Sequence, residues 1–136
     1  MQRIIALDIG SVRIGVAVSD PLGFFAQGVA VLDAKGNWLS GLAKIAAPYE
    51  SPKLLIGMPR RTDGSEGPEA ARMRETAKTI QEYFPELETE FWDERFTTTI
   101  AQQALLEADV SRAGRKKKVD KIAATLLLQS YLDRGR

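Results

Sequence analysis

Ile4-Ile5-Ala6-Leu7-Asp8-Ile9-Gly10-Ser11-Val12-Arg13-Ile14-Gly15-Val16-Ala17-Val18-Ser19-Asp20 is the stretch of this 136-residue chain on which the fold turns. A lone acid, Asp8, interrupts an apolar run of strand-forming residues. A buried carboxylate costs several kcal/mol unless a metal or a partner compensates it, so Asp8 is expected to face a site. Gly10 stands where the chain must turn, and Gly15 opens Val16-Ala17-Val18, which reads as the return strand of a hairpin. Function is therefore expected where the first strand ends.

Outward from this hairpin the chain alternates. Strands are expected over 4–7, 15–19 and 25–31, the last after the Pro21-Leu22-Gly23 turn, making a meander. Leu39, Leu42, Ala43, Ile45 and Ala46 fall at helical spacing within 38–47, and Pro48 and Pro52 close that helix before a short buried strand over 54–57. Pro68 suits the first position of a helix running to about Tyr83, which Pro85 ends. Residues 89–92 give a fifth strand. Thr99 and Gln102 match a capping box for a helix to about Ala108, a basic loop follows, and Val119, Ile122, Ala123, Leu126, Leu127 and Tyr131 mark an amphipathic helix to the end of the chain. Phe91, Trp92 and Tyr83 are expected in the core. The order predicts a single α/β domain over residues 1–136, with a mixed five-stranded sheet, helices on both faces and strand C-termini gathered at one edge, where ligands commonly bind.

Composition narrows the chemistry. The chain contains neither cysteine nor histidine, which removes disulfides, thiolate nucleophiles and imidazole ligands and leaves Asp, Glu, Lys, Tyr, backbone and water. That donor set favours hard cations such as Mg²⁺ or Mn²⁺ over Zn²⁺. No apolar run reaches the roughly 20 residues of a membrane span, and the N-terminus lacks a signal-peptide pattern, so a soluble cytoplasmic protein is expected. The net charge of +1 conceals a split distribution. Arg112, Arg115, Lys116, Lys117, Lys118 and Lys121 face one acid, Asp120, whereas Glu82, Glu86, Glu88, Glu90, Asp93 and Glu94 form a run with no base. An anionic polymer would be drawn to the first segment only, unless that segment is merely a solvated loop.

Three acidic positions, Asp8, Asp93-Glu94 and Asp120, fall at the ends of the first and fifth strands and the start of the last helix. If those strands are close in the sheet, the acids converge as a hard-metal site requires. Each acid also has a simpler role open to it. Asp8 could cap the Gly10 turn, Glu94 could pair with Arg95 or Arg13, and Asp120 could cap or offset the dipole of its helix.

Asp8-Ile9-Gly10-Ser11-Val12-Arg13-Ile14-Gly15-Val16-Ala17-Val18-Ser19-Asp20, Ile56-Gly57-Met58-Pro59 with Asp63-Gly64-Ser65-Glu66-Gly67, Asp93-Glu94-Arg95-Phe96-Thr97-Thr98 and Val119-Asp120-Lys121-Ile122-Ala123-Ala124 together resemble the YqgF/RuvX family. The blocks occur in the family's order and span nearly the whole chain. The resemblance implies a ribonuclease H-like fold and metal-assisted phosphodiester hydrolysis. The implied task is maturation of the 5′ end of precursor 16S ribosomal RNA or, alternatively, resolution of Holliday junctions. It implies Asp8, Glu94 and Asp120 as ligands of two Mg²⁺ or Mn²⁺ ions roughly 4 Å apart; Asp93 is the weaker candidate, because adjacent residues in an extended segment point to opposite sides and both rarely reach one ion. The implied partners are precursor ribosomal RNA, alone or in ribosomal particles, or branched DNA, for a monomer or a homodimer.

Arg13 and Arg95 follow their acids closely enough to contact phosphate or to pin the carboxylates. Arg60 and Arg61, on a segment over 58–67 that could act as a lid, are expected to reach the substrate backbone, as are Arg115, Lys116, Lys117 and Lys118. Arg60-Arg61-Thr62 departs from the more apolar or amide-bearing sequence of the family. Two other classes fit parts of the pattern. Asp8-Ile9-Gly10 before a hairpin also resembles the phosphate loop of actin-like and sugar-kinase proteins, which need two such domains to enclose a nucleotide. A non-catalytic RNA-binding module would use the basic run and be indifferent to Mg²⁺ and to loss of Asp8.

Overall fold

The computed structural model describes residues 2–96 and 112–134, the side chains of residues 96 and 112–120 excepted. Its elements are β1 (Ile4–Ile9), β2 (Arg13–Ser19), β3 (Ala26–Asp33), α1 (Trp38–Ala46), β4 (Lys53–Met58), α2 (Pro68–Tyr83), β5 (Thr89–Asp93), a 3₁₀ turn (Glu94–Phe96) and α3 (Arg112–Arg134). The sheet order is β3-β2-β1-β4-β5. β1, β2 and β3 form an antiparallel meander, and β4 and β5 run parallel to β1. The strand carrying Asp8 is thus the centre of the sheet, and its C-terminal end lies level with those of β4 and β5.

Both faces of the central strands are covered, so β1 reads as an almost continuous apolar run rather than an alternating one. Ile5, Leu7, Ile14, Val16, Leu54 and Ile56 pack under α1 and α2, against Leu42, Met73, Ala77 and Ile80. Ile4, Ala6, Ala17 and Leu55 pack under α3, against Ala124, Leu127, Leu128 and Tyr131. Successive strand residues alternate faces, so Asp8 continues the row Ile4-Ala6 toward α3. Its partner residues are Gly15 on β2 and, one step past the last recorded pair Leu7–Ile56, Gly57 on β4.

Helix α3 has a defined direction over this face. Near its C-terminus Tyr131 Oη lies 3.1 Å from Lys53 Nζ, at the start of β4. Leu127 meets Gly57 further along β4. Its N-terminal half therefore extends toward the edge where Asp8 ends β1.

Several expectations are corrected. The basic segment is helical rather than a loop, because Arg112–Arg134 form one continuous helix. Lys and Arg are good helix formers, and no proline interrupts them. Asp120 consequently sits inside the helix, not at its start, and cannot be its N-cap. The third strand begins at Ala26, since the Asp20 carboxylate accepts the N–H groups of Phe24 and Phe25 at 2.7 and 3.0 Å and holds both in the turn. Tyr83 is exposed, and Phe84 beside it takes the core position, the two rings meeting edge-on at 4.8 Å. Phe91 and Trp92 are partly buried as expected, Trp92 donating to Ser130 Oγ at 2.9 Å. The helix expected to Ala108 lies outside the described residues.

Candidate active site

Asp93 and Glu94 are adjacent in sequence and opposite in fate, because β5 ends between them and the 3₁₀ turn begins. Asp93 turns to a pair of arginines. Its Oδ1 accepts the Arg95 backbone N–H at 2.9 Å, its Oδ2 accepts Arg95 Nε at 2.9 Å and Nη2 at 2.6 Å, and Arg60 Nε stands 3.7 Å away. The Arg95 hydrogen bonds and the two cationic charges hold the Asp93 carboxyl below the usual carboxylate range. Asp93→Asn is expected to lower stability by about 1–2 kcal/mol, as a charge-assisted cluster loses its anion. Denaturant unfolding checks this, and a variant as stable as wild type would remove Asp93 from the clamp.

Glu94 turns the other way, into the sheet. A Cβ on Gly57 would lie 2.8 Å from Glu94 Oε1 and 3.1 Å from Leu127 Cδ2, so the carboxyl rests directly on the β4 backbone in space that only glycine leaves open. There it hydrogen-bonds Asp8. Burial first, then the negative charge of Asp8 and the hydrogen bond to it, push the Glu94 carboxyl up to about 7. Two carboxylates in hydrogen-bond contact cannot both ionise cheaply near neutrality, so they share a proton or require a cation.

That pairing sets a pH dependence. Glu94 binds its proton more tightly folded (about 7) than in an ordinary glutamate (4.5). Its contribution to the stability of metal-free protein is therefore complete below about pH 4.5 and lost as pH rises through about 7. In chelator, Glu94→Gln should gain stability relative to wild type between pH 5 and pH 8, and Mg²⁺ or Mn²⁺ should narrow the gap at pH 8 by binding wild type alone. Thermal melts across this range test it, and a gap that does not change with pH would refute the shared proton.

Glu94, but not Asp8, lines a cleft of about 400 Å³ at the C-terminal edge of the sheet. The β1–β2 turn, with Gly10 and Ser11, forms one wall, and Glu69, Arg72 and Thr76 of α2 form the other, with Glu94 between them. Gly10 is confined by its turn, where a Cβ would come within 2.9 Å of the Arg13 carbonyl oxygen that its own N–H bonds.

Of the residues singled out in the sequence, Asp8 and Glu94 are brought together. Among the described residues no third carboxylate joins them in a metal-sized cluster. Asp120 stands on α3 seven residues before Leu127, on the helical stripe of Ala124 and Leu127. Arg13 shares the Asp8 face by register, two residues beyond Gly15. Arg95 and Arg60 are engaged within the protein. Besides Asp93, Arg95 Nη1 reaches the Thr62 carbonyl at 3.3 Å, and Arg60 reaches the Gly64 carbonyl at 3.2 Å and Glu66 at 3.5 Å. Together with Arg74–Glu66 they tie the 59–67 loop to β5 and α2. Arg61 has no ion-pair or hydrogen-bond partner for its guanidinium among the described residues, and Arg115, Lys116, Lys117 and Lys118 stand in the N-terminal turns of α3. Gly57 and Arg72 were not singled out by their sequence context.

Residues 2–134 match the RuvX family, described as Holliday junction resolvase. A Clostridium perfringens (strain SM101) protein provisionally named pre-16S rRNA nuclease is 49% identical over 135 residues, covering 98% of each chain. A relative of the same name from Clostridium botulinum (strain Eklund 17B) is 47% identical over the same span, again 98% of each. Thermus thermophilus RuvC in complex with Holliday junction substrate superposes with a TM-score of 0.53 at 11% identity, covering 99% of this chain and 97% of that one. The fowlpox virus resolvase with Holliday junction DNA gives 0.55 at 15% identity, covering 97% of both. At such identities the structural likeness speaks for the fold, the ribonuclease H-like sheet of the resolvases. A family match across nearly every residue and near-half identity over full-length relatives agree: the chain belongs to the RuvX family.

Proposed function

We propose that this RuvX-family chain, acting as one nuclease domain, hydrolyses phosphodiester bonds and that its physiological substrate is the 5′ end of precursor 16S ribosomal RNA, free or within ribosomal particles in the cytoplasm. The observation that carries the reading is the hydrogen-bonded Asp8–Glu94 carboxyl pair at the C-terminal edge of the sheet, with Glu94 lining the cleft there. The names of relatives at 49% and 47% identity favour the RNA substrate. The description of the family supports a second reading, cleavage of branched DNA.

The residues fit a hard divalent cation. The available donors are carboxylate oxygens, the chain has no histidine or cysteine to prefer a softer metal, and a half-buried carboxyl pair, once fully ionised, needs a compensating positive charge. Asp8, Glu94 and, from α3, Asp120 would hold it, two Mg²⁺ or Mn²⁺ ions being the expected complement. When bound, such ions supply Lewis-acid polarisation of the phosphoryl group and a water acidic enough to attack near neutral pH. Asp8 and Glu94 would hold the ion as carboxylates, so a proton on the pair would compete with it and metal affinity would rise with pH. Gly57 keeps the space into which Glu94 folds, and the Asp93–Arg95–Arg60 clamp fixes the turn from which Glu94 projects. The basic turns of α3 offset the repulsion between these acids and an incoming phosphate backbone.

Incubating the purified protein with precursor 16S RNA fragments and with four-way DNA junctions, in Mg²⁺, Mn²⁺ or chelator, tests the proposal. Metal-dependent cleavage at the mature 5′ end is expected. Junction cleavage alone would transfer the assignment to the second reading, and metal-indifferent binding without cleavage of either would leave a binding module.

A further inference from the structure

The cleft beside Glu94 contains one arginine whose charge the protein does not use. Three neighbouring arginines are committed: Arg60 to Glu66 and Asp93, Arg74 to Glu66, and Arg95 to Asp93. Arg72 lines the cleft from α2, is exposed, and has no ion-pair or hydrogen-bond partner for its guanidinium among the described residues. This holds although Glu69 stands one turn earlier on the same helix, at a spacing that often pairs. It is also the only cation lining the cleft among the described residues.

The cleft has the size and polarity for one unit of a nucleic acid strand. About 400 Å³ is at the small end of ligand sites and accommodates roughly one nucleotide. Ile9, Pro59 and Met73 offer apolar contact to a sugar or base, and Ser11 and Thr76 offer hydroxyls. A strand whose scissile phosphate lies at the Asp8–Glu94 pair must pass two acids, and Glu69 beyond them. Where the strand passes Glu94 into the cleft on the α2 side of the sheet edge, its next phosphate therefore needs a cation there, which α3, on the Asp8 side, does not supply.

Building on the nuclease reading, we propose that Arg72 is a substrate-positioning residue that holds the phosphodiester flanking the scissile one, with the intervening nucleoside seated in the cleft between α2 and the β1–β2 turn. It acts by registering the strand, not by touching the reacting atoms. Its planar fork suits two-point contact with phosphate, which a lysine would replace only in part.

The test uses the full chain, an RNA spanning the precursor 5′ cleavage site, and a set of the same RNA with single uncharged methylphosphonate linkages. Arg72→Gln should raise KM about tenfold at nearly unchanged kcat, and Arg72→Lys should recover part of the loss. The slope of log K against log salt should become shallower by about 0.7, one phosphate contact on single-stranded RNA. One methylphosphonate next to the scissile linkage should weaken wild type and leave Arg72→Gln indifferent. Lys78→Gln, on the exposed side of α2, controls for a general loss of charge and should match wild type. Wild-type KM and salt slope in Arg72→Gln, or undiminished sensitivity to every methylphosphonate, would overturn the assignment while the nuclease reading stands. If wild type neither binds nor cleaves the RNA or a junction, the nuclease reading fails, and the role of Arg72 with it.

Discussion

Asp8→Asn is expected to reduce cleavage by on the order of 10³-fold or more, the scale of losing one electrostatic partner of the transition state, while the protein remains folded. The two halves of this expectation come from one geometry. Asp8 lies at the end of the central strand, where the apolar rows Ile4-Ala6 and Ile5-Leu7 already supply the packing of β1. Its carboxylate adds no core contact that asparagine, its isostere, would lose. It does add a negative charge beside the half-buried Glu94, whose carboxyl it helps push up to about 7. Removing that charge at pH 8 in chelator relieves repulsion, so the melting temperature should hold or rise as activity disappears. Glu94→Gln should behave in the same way. Substrate binding should largely survive in both, because phosphate contacts from cations are untouched. Wild-type cleavage by Asp8→Asn, with contaminating nuclease excluded, would sink the assignment of Asp8. A large fall in melting temperature would instead make it a structural residue.

How much of this site was legible beforehand depends on which physical signal each residue carries. Asp8 announces itself because an acid within an apolar strand is costly, and a cost invites a functional explanation. The pairing of β1 with β4 follows from the crossover helix between them, and the pairing of β4 with β5 from the next, since parallel neighbours need such connections. The choice of Glu94 over Asp93 came from the family resemblance and, in physical terms, from alternation along an extended segment. The actual separation arises because the strand ends at Asp93 and a 3₁₀ turn begins, and because Arg95 and Arg60 capture the first acid. Gly57 carries no sequence signal for its role, since a glycine in a buried strand signals close approach without naming what approaches. Arg72 was silent for a similar reason: on an exposed helix face it reads like Arg74, and the fold separates them by pairing Arg74 with Glu66 and setting Arg72 against the cleft. The basic run was read as a loop because charge density suggests solvation, whereas Lys and Arg have no objection to a helix.

Replacing Arg115, Lys116, Lys117 and Lys118 together should weaken binding to every nucleic acid tested and leave the metal site intact. Because this segment is the start of α3, the substitution to make is glutamine, which keeps helix propensity where serine would lower it. If all four cations meet phosphates, the slope of log K against log salt should become shallower by about 3 to 4 units, at roughly 0.7 per contact on single strands and 0.9 on duplex. At a difference of 3, raising salt fourfold costs wild type about 60-fold more affinity than the variant. Stability should move in the other direction. Arg112–Arg115, Arg112–Lys116, Arg115–Lys118, Lys117–Lys121 and Lys118–Lys121 stand at i,i+3 or i,i+4, where like charges each cost a few tenths of a kcal/mol. Only Lys116–Asp120 and Lys117–Asp120 offset them at those spacings. A helix that concentrates positive charge at this expense is explained by a partner that neutralises it, so weaker binding with an equal or higher melting temperature is the signature of a phosphate-binding surface. An unchanged salt slope and affinity in the folded quadruple variant would make these turns a solvated helix end, and the repulsion along them a cost with no return.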